Sequence, residues 1–140
     1  MQREYTSYNC SMIREDFSLH DAKISKISWG YQDRFISFDM TNWEWGAGGR
    51  LAFYGAVYAE GSALGLWGFG VTNAIYIDCF FADSDCSVSA VFTHCVQKSK
   101  SSPETCELPD PDNYFCVVFG TNTGDQLRFI VEKVVWETDD

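Results

Sequence analysis

A chain of 140 residues with 46% apolar and 16% aromatic content suits one domain around a single core and excludes wholesale disorder. Its formal net charge of −10 disfavours nucleic acid, whose binding draws on clustered Lys and Arg, and an anionic membrane surface would repel it. A basic protein is the electrostatically natural partner, although an acidic surface also simply keeps a protein dissolved.

Residues 1–16 are mixed polar and read as an N-terminal arm, with a short helical turn around Ser11 to Phe17. Ala22 to Trp29 and Arg34 to Met40 then flank Gly30-Tyr31-Gln32-Asp33, which is a hairpin signal. In the second run Ile36, Phe38 and Met40 share one face, with Ser37 and Asp39 on the other, as in a half-buried antiparallel strand. In the first run Ile24 and Ile27 fall on opposite faces of a regular strand, so a bulge is expected between them. Gly46 to Gly49 reads as a turn into a strand over Arg50 to Ala59, and Gly61-Ser62-Ala63 as a turn into Leu64 to Phe81.

That last run is too long for one ordinary strand, and Gly65, Gly68 and Gly70 predict a bend, a bulge or two strands. Towards its end Ile75, Ile77, Cys79 and Phe81 alternate with Tyr76, Asp78 and Phe80. Ser87 to Val96 reads as another strand, with Val88, Ala90, Phe92, His94 and Val96 on one face. Residues 97–113, with Pro103, Pro109 and Pro111, read as a long polar loop inside the domain. Tyr114 to Phe119 and Gln126 to Trp136 close the chain as a hairpin pair around residues 121–125. The expectation is an all-β single domain over residues 1–140, an antiparallel β-sandwich or strongly curved sheet of seven to nine short strands with hardly any helix.

No apolar run reaches the length of a membrane span and none follows Met1 as a leader would, so a cytoplasmic location is expected. In that setting the six cysteines, Cys10, Cys79, Cys86, Cys95, Cys106 and Cys116, are expected as thiols, several of them small buried hydrophobes. No pair has the Cys-x-x-Cys spacing of a zinc or redox site, so neither a metal nor another cofactor is expected.

His20-Asp21 joins one of two histidines to an acid. His20 would serve as general acid or base, oriented by Asp21 or another carboxylate. Neighbours in an extended segment point to opposite faces, however, which favours a structural role: Asp21 at the turn into the first strand, His20 at the sheet edge. His94 is either a satisfied core histidine or a pocket residue, and Cys95 as a nucleophile would draw its base from His20.

Asp78, Asp83 and Asp85 offer oxygen ligands for calcium, but without the D-x-D-x-D-G pattern and distal glutamate they read as a solvated turn. Neither glycine cluster, 46–49 or 65–70, carries the lysine of a phosphate loop, and no G-x-S-x-G elbow is present. Trp43 and Trp45, flanking Glu44 on one strand face, form a candidate platform for a ligand or partner, with core packing as the alternative.

Leu19-His20-Asp21-Ala22-Lys23-Ile24, then a hairpin, then Arg50-Leu51-Ala52-Phe53-Tyr54-Gly55-Ala56-Val57, resembles a set of small bacterial proteins. The set includes uncharacterised domains and immunity proteins of polymorphic toxin systems, and the likeness spans residues 17–58. It implies a β-rich cytoplasmic binding protein of the kind that neutralises a toxin domain, and it brings no catalytic residues with it. Three readings follow. The first is an acidic interaction protein docking a basic partner such as a nuclease toxin, with Trp43 and Trp45 as anchors. The second is a module binding a small molecule or carbohydrate in an aromatic groove, and the third a hydrolase using His20 with Cys95 or a carboxylate.

Overall fold

Alternating apolar residues in the described parts of the chain build a mostly antiparallel β structure, seen in a computed structural model. The described residues are 2–16, 21–30, 32–43, 46–61, 75–99, 109–121 and 124–138, with the backbone alone for 42, 43, 46, 47, 75 and 99. They form nine strands: β1 Gln2–Tyr5, β2 Lys23–Gly30, β3 Phe35–Trp43, β4 Gly46–Tyr54, β5 Tyr58–Glu60, β6 Ile75–Ala82, β7 Phe115–Thr121, β8 Gln126–Val131 and β9 Lys133–Thr138. Among the described residues helix comprises α1 Ile13–Asp16, α2 Val88–Ser99 and 3-10 turns at Cys10–Met12 and Pro111–Asn113. None of these is long and apolar enough to cross a membrane.

The strands form one sheet in the order β1-β9-β4-β3-β2-β6-β7-β8-β5, open at both ends. Every neighbouring pair is antiparallel. β2 and β6 share only two register positions, Lys23 with Tyr76 and Ile24 with Ile75, and the sheet turns a corner there. Beyond it the sheet faces itself. Phe38 of β3 meets Phe119 and Phe129 of the opposing layer with ring centroids 5.1 and 5.7 Å apart, and Phe53 beside it at 5.1 Å. Edge-to-face pairs of this kind set positively polarised ring edges against negative faces, adding to the gain from burial.

The bulge expected in β2 is present. Its register with β3 shifts between Ile24 and Lys26, which brings Ile24 and Ile27 to the same core. β6 carries a second, unexpected shift between Ile77 and Cys79. It overturns the strict alternation read there: Ile77 and Phe80 are buried together and Cys79 is exposed. The arm contributes β1 to the edge of β9, and the helical turn near Ser11 to Phe17 appears as Cys10–Met12 followed by α1. Gly46 to Gly49 belong to β4 rather than to a turn, because Gly48 and Gly49 pair with Thr41 and Met40. Gln126 to Trp136 is two strands, β8 and β9, divided at Glu132.

The largest correction is Ser87 to Val96, which is helix and not strand. The alternation of 88, 90, 92, 94 and 96 competes with a second pattern, Val88, Val91 and Phe92, at helical spacing. The second pattern prevails because those three side chains pack on the outer side of β7 and β8, against Cys116, Val118 and Ile130, while Ala90 and His94 are exposed. The Ser87 hydroxyl accepts the Ala90 N–H at 3.2 Å and caps the first turn. Covered by the core on one face and α2 on the other, β7 is buried along its whole length. Residues 62–74, much of the long glycine-bearing run, and 100–108 of the polar loop lie outside the described residues.

Candidate functional site

Asp21 stands at the entrance to β2 with φ 64, and its N–H donates to the Ile77 carbonyl at 2.8 Å. That backbone bond joins the start of β2 to β6; His20 lies outside the described residues. His94 and Cys95 are exposed on α2, where neighbouring side chains diverge by about 100°. The backbone of Trp43 pairs with Gly46, while its side chain, Glu44 and Trp45 fall outside the described set. Asp78 is exposed at the β6 bulge. Asp83 instead turns inward: one oxygen accepts the Asp85 N–H at 3.0 Å and the other the Arg128 guanidinium at 3.1 Å. Among the described residues no three His, Cys, Asp or Glu side chains converge as a metal site.

What the fold does assemble is a cleft of about 750 Å³, a volume in the range of ligand sites. Its walls come from four places: the Cys10–Met12 turn and α1 with Arg14, the 83–86 turn, the start of α2 and the 111–116 segment. The Asp83 N–H donates to the Cys116 carbonyl at 2.8 Å, continuing the β6–β7 ladder by one step before the chain turns. Asp110 accepts the Asp112 N–H at 3.0 Å and Pro111 opens the 3-10 turn, so Asp112 is presented at the rim. Arg14 lies over the Phe81 ring at 4.6 Å, a cation–π contact.

The cleft is electronegative. Asp83 is engaged by Arg128, but Asp85 and Asp112 form no salt bridge with a described residue. Arg128 also reaches Glu60 at 3.5 Å, tying β8 to both β5 and the 83–86 turn. Burial alone would lower the Arg128 pKa, but Cys116, Cys86, Asp83 and Glu60 around it hold it above its usual value. Burial, and then the neighbouring Cys86 thiol, push Cys116 well above the ordinary thiol range. Cys10, on the facing wall, is raised by burial too.

A second cleft, about 570 Å³, opens at the tip of the β2–β3 hairpin. Trp29, 48% exposed, stands at its mouth with Phe35, Ile36, Val57 and Tyr58 inside and Arg34 as its charged residue among those described. Arg34 adopts φ 52 and its carbonyl accepts the Ala56 N–H at 2.8 Å; this holds the start of the β5 strand against the hairpin. The Tyr58 hydroxyl donates to Glu60. This aromatic surface was not foreseen. The register of Trp29 opposite Ile36 makes it an extension of the core face beyond the end of the core, a signal present in the hairpin but weaker than the Trp-Glu-Trp triplet.

Comparison with protein-family models, with curated proteins and with solved structures finds no match for this chain.

Proposed function

We propose that this is a cytoplasmic binding protein that docks a basic protein partner at the electronegative cleft, in the way expected of an immunity-type protein. The observation that carries the reading is the pair of carboxylates, Asp85 and Asp112, which form no salt bridge with a described residue and stand at the rim of a cleft large enough for several side chains. The net charge of −10 works in the same direction, steering a cationic partner towards the surface before contact. A lysine or arginine entering the cleft would find two carboxylates to pair with. The likeness over residues 17–58 points to a toxin domain as the partner, and a toxin-like reading frame beside the gene is then expected.

The aromatic cleft supports a second reading, a small-molecule module, because half-exposed Trp29 lies over a pocket with a largely apolar lining. One titration separates the two. A lysine-rich peptide is added to the intact chain, to Asp85→Asn with Asp112→Asn, and to Trp29→Ala, at low and high salt. Docking at the electronegative cleft predicts affinity that falls about tenfold with salt and about fivefold to thirtyfold in the double variant, at roughly 0.5–1 kcal/mol per exposed pair. Affinity unchanged in the double variant sinks the reading, and loss confined to Trp29→Ala moves the site to the hairpin cleft.

A further inference from the structure

The electronegative cleft holds sulfur that cation docking does not use. Asp83 is the last residue tied to β7, through the Cys116 carbonyl at 2.8 Å. The Cys86 N–H then returns to the Asp83 carbonyl at 3.4 Å, closing a turn that lays Cys86 on the outer side of β7, where Cys116 points. Cys86 packs against the cluster that contains Cys116, and both line the cleft. Cys116 is only 2% exposed, whereas Cys86 is half-buried, so the pair combines one accessible thiol with one shielded from solvent.

We propose that Cys86 and Cys116 are a modification site, closing to an intramolecular disulfide by exchange with a low-molecular-weight disulfide such as glutathione disulfide. Cys86 loses its proton to solvent and its thiolate attacks one sulfur of the small disulfide. That bond breaks, one small thiolate leaves, and a mixed disulfide is left on Cys86. Cys116 then gives up its proton and attacks the Cys86 sulfur, expelling the second small thiolate as the Cys86–Cys116 bond forms. Two protein thiols are oxidised, one small disulfide is reduced to two thiols, and the two protons end on those thiols. The new bond pins the start of α2 to β7 across one wall of the cleft. It does not depend on cation docking, and bond formation is read without any partner.

The test is a thiol count and peptide map of the intact chain after exposure to glutathione disulfide in native buffer, followed by acid quench and alkylation under denaturing conditions. Two of the six thiols should be lost, with a peptide linked through Cys86 and Cys116. In Cys116→Ala, whose fold is checked by circular dichroism, Cys86 should instead accumulate the glutathione adduct. Should Cys116→Ala not fold, Cys86→Ser serves, and there Cys116 should stay free while the chain remains native. A stable adduct on wild-type Cys86 with no link to Cys116 would overturn the proposal. So would pairing of either cysteine with Cys10, or a link that forms only in urea.

Discussion

At the scale of single residues, the tyrosines show how burial and a carboxylate act on one group. Tyr5 is 2% exposed and donates to Asp16 at 2.7 Å. Burial first, then that bond, push its pKa up from 10.0 to about 12. For Tyr58 the bond to Glu60 is the larger cause and burial the second, with the same result of about 12. In both, folding favours the protonated phenol. The associated stability is complete below pH 10, the unfolded value, and is lost as pH rises through about 12. The raised thiols of Cys10 and Cys116 add the same sign from pH 9 upward. Denaturant midpoints measured in steps from pH 9 to 12 should therefore fall. Tyr5→Phe should lower stability at neutral pH and flatten part of that slope. A Tyr5→Phe curve parallel to the wild type throughout would mean that the phenol does not couple to folding.

Elements were legible to the extent that their determinants were local. The β2–β3 hairpin and the bulge at Ser25 could be read because turn residues and the misfit of Ile24 with Ile27 lie within a few positions of each other. The β6 bulge could not. What decides it is the burial of both Ile77 and Phe80 against a sheet whose other strands lie far along the chain. α2 is intermediate between these cases. Its β-branched Val88, Val91, Thr93 and Val96 argue for strand by propensity, and an outer sheet face in need of cover decides for helix. The local helix signal was Ser87, three residues before Ala90, whose N–H it accepts. Ser87→Ala should cost about 1 kcal/mol, read from chemical denaturation, and Ser87→Asp should retain most of the stability. If Ser87→Ala were neutral, α2 would be held by packing on β7 and β8 alone. The candidate site was least legible of all. Asp83 and Asp85 were visible as an acidic turn, but Asp112, Arg14 and Cys116 join them only through long-range pairing of β6 with β7 and the position of α1.

At the scale of the whole molecule, excess negative charge has two consequences of opposite sign. On the outer face of β2, β3, β4 and β9, Lys26, Asp39, Arg50 and Glu137 stand in consecutive register, alternating in charge, with Arg50 and Asp39 in contact at 3.2 Å. That row neutralises itself. Asp85 and Asp112 at the cleft rim form no salt bridge with a described residue, and they supply charge available to a partner. Self-repulsion within a chain of net charge −10 destabilises the compact state, and salt screens it. Raising sodium chloride from about 20 to 200 mM takes the Debye length from roughly 20 Å to below 10 Å. The thermal midpoint should then rise while affinity for a lysine-rich peptide falls. Neutralising the rim through Asp85→Asn with Asp112→Asn should blunt both responses, because the same charges cause both. A Glu137→Gln variant, altering the self-neutralised row, should leave the affinity response intact. Equal loss of salt-dependent affinity in the two backgrounds would show that the whole acidic surface, rather than the cleft, attracts the peptide, and the docking site would have to be sought elsewhere.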